Sequence, residues 1–153
     1  MKKLFVLLLL LLAGNLYAQA GFFAGLGIEG NANTREGAAL GGNLTLGLDI
    51  NDIFAAGAKF TFSSNMDTVT TLEPGAFFRY YFLPLPLGFL FLQAELGLSL
   101  FFEDDETYPA FYAGLAVGWH FKVWEGLYLE PMFRGGYPFA WGVGLSIGYQ
   151  FDL

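Results

Sequence analysis

The sequence predicts an all-β protein, an eight-stranded antiparallel up-and-down transmembrane β-barrel, and three observations predict it. Beyond residue 20 no apolar run is long enough for a membrane helix, yet apolar residues alternate with small or polar ones in eight segments separated by turn residues. The apolar face of these segments carries aromatics near the strand ends and aliphatics in the middle, as a membrane-facing barrel wall does. The opposite face is rich in glycine and sparsely charged, which suits the inside of a narrow barrel.

Composition sets the outer bounds. The 153 residues are 55% hydrophobic and 14% charged, which excludes a disordered chain. With no cysteine there is no disulfide framework, no thiolate metal site, no cysteine nucleophile and no lipid-modified N-terminal Cys. A net charge of −7 has the wrong sign for a nucleic-acid partner.

Residues 1–20 read as a cleaved secretory signal peptide. Lys2 and Lys3 precede the apolar run Leu4–Leu12, and small and polar residues then lead to Ala18-Gln19-Ala20, placing the cut after Ala20. The apolar run is about half of the roughly 20 residues that span a bilayer, which disfavours a helical anchor. Without the two lysines, residues 21–153 hold five basic and fourteen acidic residues, a net −9. The expected route is secretion across the inner membrane.

Eight strands are expected in residues 21–30, 37–50, 53–63, 68–82, 89–102, 109–122, 127–135 and 139–152. In the first, Phe22, Ala24 and Leu26 oppose Gly25 and Gly27. In the second, Leu40, Leu44, Leu46 and Leu48 oppose Asn43, Thr45, Gly47 and Asp49. The third sets Phe54, Ala56, Ala58, Phe60 and Phe62 against Gly57, Lys59 and Thr61, and in the fourth Phe78, Tyr80 and Phe82 lie opposite Gly75, Phe77 and Tyr81. The fifth sets Leu92 to Leu100 against Gln93, Glu95, Gly97 and Ser99; the sixth sets Phe111, Leu115, Val117, Trp119 and Phe121 against Tyr112, Gly114 and Gly118. The seventh turns Phe133 outward and Tyr128 inward. The last turns Phe139, Trp141, Val143, Leu145, Ile147, Tyr149 and Phe151 outward and Gly142, Gly144, Ser146, Gly148 and Gln150 inward. The connections at 50–53 and 123–126 are tight, and Leu83–Gly88 (LPLPLG) is expected to be a rigid proline-rich link.

The apolar face must point outward. Several dozen large apolar side chains would overfill an eight-stranded interior, whereas a dozen inward glycines leave room for the few larger residues there, Phe77, Tyr81, Tyr112 and Tyr128. Closure also pairs every backbone donor and acceptor, as hydrocarbon demands.

Ser146-Ile147-Gly148-Tyr149-Gln150-Phe151-Asp152-Leu153 resembles the C-terminal signal of bacterial outer-membrane proteins, with Ser146, Gly148, Phe151 and Leu153 in its polar, glycine, third-last and last hydrophobic places. Leu153 departs from the Phe that often ends that signal. With the leader, the eight strands and the lack of an appended domain, residues 21–153 resemble a small outer-membrane β-barrel of the OmpA/OmpX/OmpW type. The resemblance implies an integral protein of a Gram-negative-type cell envelope, delivered by periplasmic chaperones to the barrel-assembly machinery and held in outer-membrane lipid as a monomer.

With both ends in the periplasm, 31–36, 64–67, 103–108 and 136–138 become short exterior loops, which argues against a large adhesin. Inside, antiparallel pairing is expected to bring Lys59 near Glu73, Arg79 near Gln93 and Glu95, and His120 near Glu130, with Arg134 above toward the outer rim. Buried charges need such partners. A structural plug is the favoured reading of this interior polar network; interior ion pairs in OmpA-like barrels imply a gate as the other. Leu72-Glu73-Pro74 and Leu129-Glu130-Pro131 repeat one tripeptide, and each proline, which removes a ladder donor, suggests a bulge or local break. A bent wall there is one route for apolar ligands, as in OmpW-like barrels.

Other signals carry less. His120 stands alone between Trp119 and Phe121 with no serine near in sequence, which disfavours a lipid-modifying barrel enzyme. The match of Gly25–Gly30 to G-x-G-x-x-G lacks a following helix, and Asn43-Leu44-Thr45 falls mid-strand. The acidic run 103–106 offers Ca²⁺ oxygen ligands but reads better as a solvated loop. No cofactor is expected. The functional expectation is a non-enzymatic structural or interaction barrel with a side-chain-filled interior, and the alternative is a narrow porin-like channel or carrier for small solutes or apolar molecules.

Overall fold

A computed structural model describes residues 21–33, 37–65, 69–103 and 106–151. The leader read in residues 1–20, Asp104 and Asp105 of the acidic run, and Leu153 lie outside the described residues. Eight strands follow one another: β1 (Phe22–Asn33), β2 (Gly37–Asn51), β3 (Phe54–Ser64), β4 (Val69–Leu85), β5 (Gly88–Glu103), β6 (Glu106–Lys122), β7 (Leu127–Tyr137) and β8 (Phe139–Phe151). Each pairs antiparallel with its sequence neighbour, and β1 pairs with β8 to close the barrel.

The pleat sorts side chains as the alternation predicts. Adjacent Lys59 and Phe60 are 2% and 43% exposed, one inside and one outside. Leu26, Leu96, Phe111, Leu115 and Ile147 stand on the outer wall. Glycines inside make room for rings: a Cβ on Gly75 or Gly97 would lie within 2.8–2.9 Å of the Tyr112 ring, and one on Gly57 2.7 Å from Phe77. Phe23, Ala55, Phe77 and Tyr128 form one apolar cluster of the interior.

Three expectations are corrected. Phe139 is 2% exposed and faces the lumen, because Ala32 pairs with Trp141 and Asn33 with Phe139; the extra residue, Ala140, reverses the phase of β8 at its end. The LPLPLG link shrinks to a turn at Pro86 and Leu87, since β4 continues to Leu85 with Pro84 opposite Phe89. The sixth strand begins at Glu106, three residues early, and runs through Pro109 opposite Leu100. Both prolines sit where a strand outreaches its other neighbour: β3 pairs with β4 only as far as Tyr80, and β7 with β6 only as far as Ala113. A missing N–H costs nothing on such a free edge.

The two Glu-Pro steps break one ladder each without a register shift. Pairing of β4 with β5 stops at Leu72↔Leu100 and resumes at Gly75↔Gly97, while β3 pairs continuously through Glu73 and Pro74. Pairing of β6 with β7 stops at Gly118↔Met132 and resumes at Phe121↔Leu129, while β8 pairs through Glu130 and Pro131. The wall therefore carries two gaps, each beside an inward carboxylate.

Candidate functional site in the barrel interior

The interior is a column of charged side chains supported by rings. Lys59, Glu73, Arg79, Gln93, Glu95, His120, Glu130 and Arg134 all face inward and are buried. They fall into two clusters joined by one amide.

The first cluster lies nearer the end that carries the chain termini. Arg79 donates through Nη1 to Glu130 Oε1 at 2.6 Å and through Nη2 to Oε2 at 3.1 Å, a two-pronged pair that the planar guanidinium favours. His120 Nδ1 lies 2.7 Å from the same Glu130 Oε1. The Arg79 guanidinium sits over Phe91 at 3.9 Å and is flanked by Phe23 and Phe77 at 5.3 and 5.4 Å. His120 in turn stacks on Tyr128, with ring centres 4.4 Å apart.

The second cluster lies deeper. Lys59 Nζ is 2.9 Å from Glu29 Oε2 and 3.5 Å from Glu95 Oε1. Arg134 donates to Glu29 through Nη1 and to Glu73 through Nη2 at 3.3 Å, with Nε 3.7 Å from Glu95. Neutral donors complete the carboxylates: Asn43 to Glu29 at 3.0 Å, Ser99 to Glu73 at 2.8 Å, and the Tyr112 hydroxyl to Glu95. Arg134 also lies over the Phe139 ring at 3.6 Å. Gln93 joins the clusters, accepting from Arg79 Nε at 2.9 Å and donating to Glu95 at 2.6 Å.

Buried charges are tolerated only when paired and fully hydrogen-bonded, and this network supplies both conditions for its four carboxylates. Three cations, Lys59, Arg79 and Arg134, face Glu29, Glu73, Glu95 and Glu130, and His120 adds a further bond to Glu130.

The expected Lys59–Glu73 contact is not made. Lys59 is opposite Gly75 and Glu73 opposite Thr61, a stagger of two residues, and the lysine instead reaches past the neighbouring strand on either side, to Glu29 on β1 and Glu95 on β5. Arg79 meets Gln93 directly, but Glu95 only through that amide. His120 does meet Glu130, and Arg134 belongs to the deeper cluster. Sequence reasoning missed Glu29, although it shares the inward phase of Gly25 and Gly27 on β1. It also missed the platforms Phe23, Phe91 and Phe139.

Of the C-terminal signal residues, Ser146 points inward and donates to Asn43 at 3.2 Å, Gly148 faces Tyr128, and Phe151 packs outside against Phe22 at 5.8 Å between ring centres. Among the described residues no group of three or more His, Asp or Glu is placed to hold a metal.

At the terminus-bearing end the column opens into a cavity of about 480 Å³ lined by Asp49, Asn51, Tyr81, Phe89, His120 and Lys122, with Gly21 and Gln150 on its rim. Asp49 Oδ2 accepts from Gln150 Nε2 at 2.7 Å, whereas Oδ1 is buried without a hydrogen-bond partner.

Neither family models nor curated proteins match the sequence. Solved structures do. The chain is similar to neisserial surface protein A, at 19% identity and TM-score 0.61 over 88% of this chain and 97% of that one. It is also similar to the N-terminal β-barrel domain of Pseudomonas aeruginosa OprF, at 17% and 0.65 over 86% and 97%. A third likeness is to Ail, the attachment invasion locus protein of Yersinia pestis, at 11% and 0.50 over 87% and 98%. This chain therefore has the fold of the small outer-membrane proteins, a closed eight-stranded transmembrane β-barrel.

Proposed function

We propose that this protein is a monomeric integral barrel of the bacterial outer membrane, with its termini in the periplasm, and that it serves as a closed structural or interaction scaffold. One observation carries the reading: hydrogen bonds and ion pairs link His120, Glu130, Arg79, Gln93, Glu95, Lys59, Glu29, Arg134 and Glu73 without interruption along the lumen. To let an ion pass, such a column must separate buried pairs, at a cost of several kcal/mol for each charge left unpaired. The outward apolar wall supports outer-membrane lipid as the surroundings, and the C-terminal signal supports handling by periplasmic chaperones and the barrel-assembly machinery. A non-enzymatic role is supported by His120, whose ring faces the lumen between Tyr81 and Tyr128 and bonds a carboxylate.

A second reading, a narrow channel or carrier for small solutes or apolar molecules, is favoured by the two ladder gaps beside Glu73 and Glu130 and by the open mouth. Planar-bilayer conductance of residues 21–153, refolded in detergent and shown folded by a cold-versus-boiled gel shift, separates the two. Silence supports the closed scaffold. Discrete steps overturn it and make Lys59, Glu29, Glu95 and Arg134 the gate.

A further inference from the structure

Asp49, one of whose carboxylate oxygens has no hydrogen-bond partner, lies beside the residue at which the leader is expected to be cut. Gly21 precedes β1 on its inward phase, and its carbonyl accepts from Asp49 N at 2.8 Å. A Cβ at Gly21 would point at the junction of two side chains, 3.1 Å from Asp49 Oδ2 and 3.6 Å from Gln150 Nε2. Asp49 of β2 and Gln150 of β8 thus meet across the end of β1, and a Cβ at Gly21 would press on that bridge by a few tenths of an ångström. The bridge uses one carboxylate oxygen. The other, Oδ1, is buried with nothing to accept from. Asp49 as a whole is only partly buried, but a buried oxygen left unmatched is costly and calls for a donor, best a cationic one.

We propose that hydrolysis of the Ala20–Gly21 peptide bond supplies that donor: the new α-ammonium of Gly21 binds Asp49 and pins β1 to β2 and β8 at the seam where the barrel closes. Water adds across the amide under the action of a membrane leader peptidase. Ala20 departs with the carboxylate, and the Gly21 nitrogen, uncharged while it is an amide, takes up protons to become an ammonium. Removing the leader therefore does more than release the chain; it creates the charge that completes the mouth. The other charged or titratable groups at this mouth are Asp52 in the β2–β3 turn, Tyr81 on β4, and His120 and Lys122 on β6. The proposal rests on the leader reading and is independent of whether the lumen conducts.

The test begins with protein extracted from the outer membrane of a bacterial host, whose first residue is read by mass spectrometry. A start other than Gly21 overturns the leader reading, and this proposal with it. Given a Gly21 start, reductive methylation with ¹³C-formaldehyde labels the α-amine and only two lysines, Lys59 and Lys122, so its NMR titration is readily assigned. The α-amine is expected to lose its proton at higher pH in the native protein than in Asp49→Asn. N-terminal acetylation and Asp49→Asn are each expected to lower the unfolding midpoint by a few degrees, and to lower it no further when combined. Identical α-amine titrations in the two proteins, or additive losses, overturn the contact while leaving the leader reading intact. Should Asp49→Asn fail to refold, acetylation of the unmutated chain decides alone, and an unchanged midpoint overturns the proposal.

Discussion

Arg79 and Phe91 form a stacked pair inside the barrel, the guanidinium carbon 3.9 Å from the ring centre, while the same guanidinium holds Glu130 through two nitrogens. The ring covers one face of the guanidinium, which its in-plane hydrogen bonds do not reach. Arg79→Met is expected to destabilise the barrel by about 3–5 kcal/mol, because it leaves Glu130 buried with only His120 as partner. Adding Glu130→Gln should recover part of that loss, and Arg79→Lys should still be destabilising because a point charge cannot make the two-pronged bond. Urea unfolding in lipid vesicles, followed by tryptophan fluorescence, measures all three.

Lys59 distinguishes the observed network from a simple neighbouring-strand pairing. A double-mutant cycle between Lys59→Met and Glu29→Gln should show a coupling of about 0.5–3 kcal/mol, the range for contacting residues. The corresponding cycle with Glu73→Gln should show a smaller one, since Glu73 bonds Arg134 and Ser99 instead. Equal couplings would contradict the observed pairing of Lys59 with Glu29.

Two buried tyrosine hydroxyls predict opposite outcomes. The Tyr128 hydroxyl has no hydrogen-bond partner, so Tyr128→Phe, which keeps the ring contacts with His120 and Phe23, is expected to be neutral or stabilising. Tyr112 donates to Glu95, so Tyr112→Phe should cost about 1–3 kcal/mol. Equilibrium unfolding of the two variants side by side is the check.

Glycine positions separate in the same way. A Cβ at Gly118 would lie 2.5 Å from the Phe91 ring and 2.9 Å from the Pro131 carbonyl, so Gly118→Ala must displace the platform beneath Arg79. A loss of about 1–3 kcal/mol is expected, the usual cost of overpacking. Gly30→Ala meets only the tip of Leu40 at 3.3 Å and should stay within about 0.5 kcal/mol of the unmutated protein.

The wall of this barrel was legible because the pleat is a rigid two-residue rule: once Leu44, Leu46 and Leu48 share a face, Thr45 and Gly47 must share the other. The rule fails at Phe139, where Ala140 adds one residue to the strand and nothing in the local pattern marks it. It also underrates Pro84 and Pro109, since a proline's cost depends on whether a neighbouring strand reaches that far. The charged residues of the lumen could be named from their phase, but their partners could not. Pairing of adjacent strands orders contacts along the wall, whereas Lys59–Glu29 and Arg134–Glu29 each skip a strand, so they depend on the barrel's curvature and stagger. Arg79–Glu130 reaches farther, from β4 to β7.

Seven of the eight ladders join consecutive strands, and only β1–β8 joins the two ends of the chain. The seven can form as hairpin after hairpin with short loops to close, so their entropic cost is small and local. The eighth brings together strands separated by nearly the whole chain. Until Gly25 meets Gly148 and Leu26 meets Ile147, both edges present bare amides and carbonyls. Hydrocarbon penalises each such group by several kcal/mol, so a seven-ladder intermediate has no stable residence in the bilayer. Zipping of the last seam and entry into the membrane are therefore one kinetic event, and its rate measures how fast β1 finds β8.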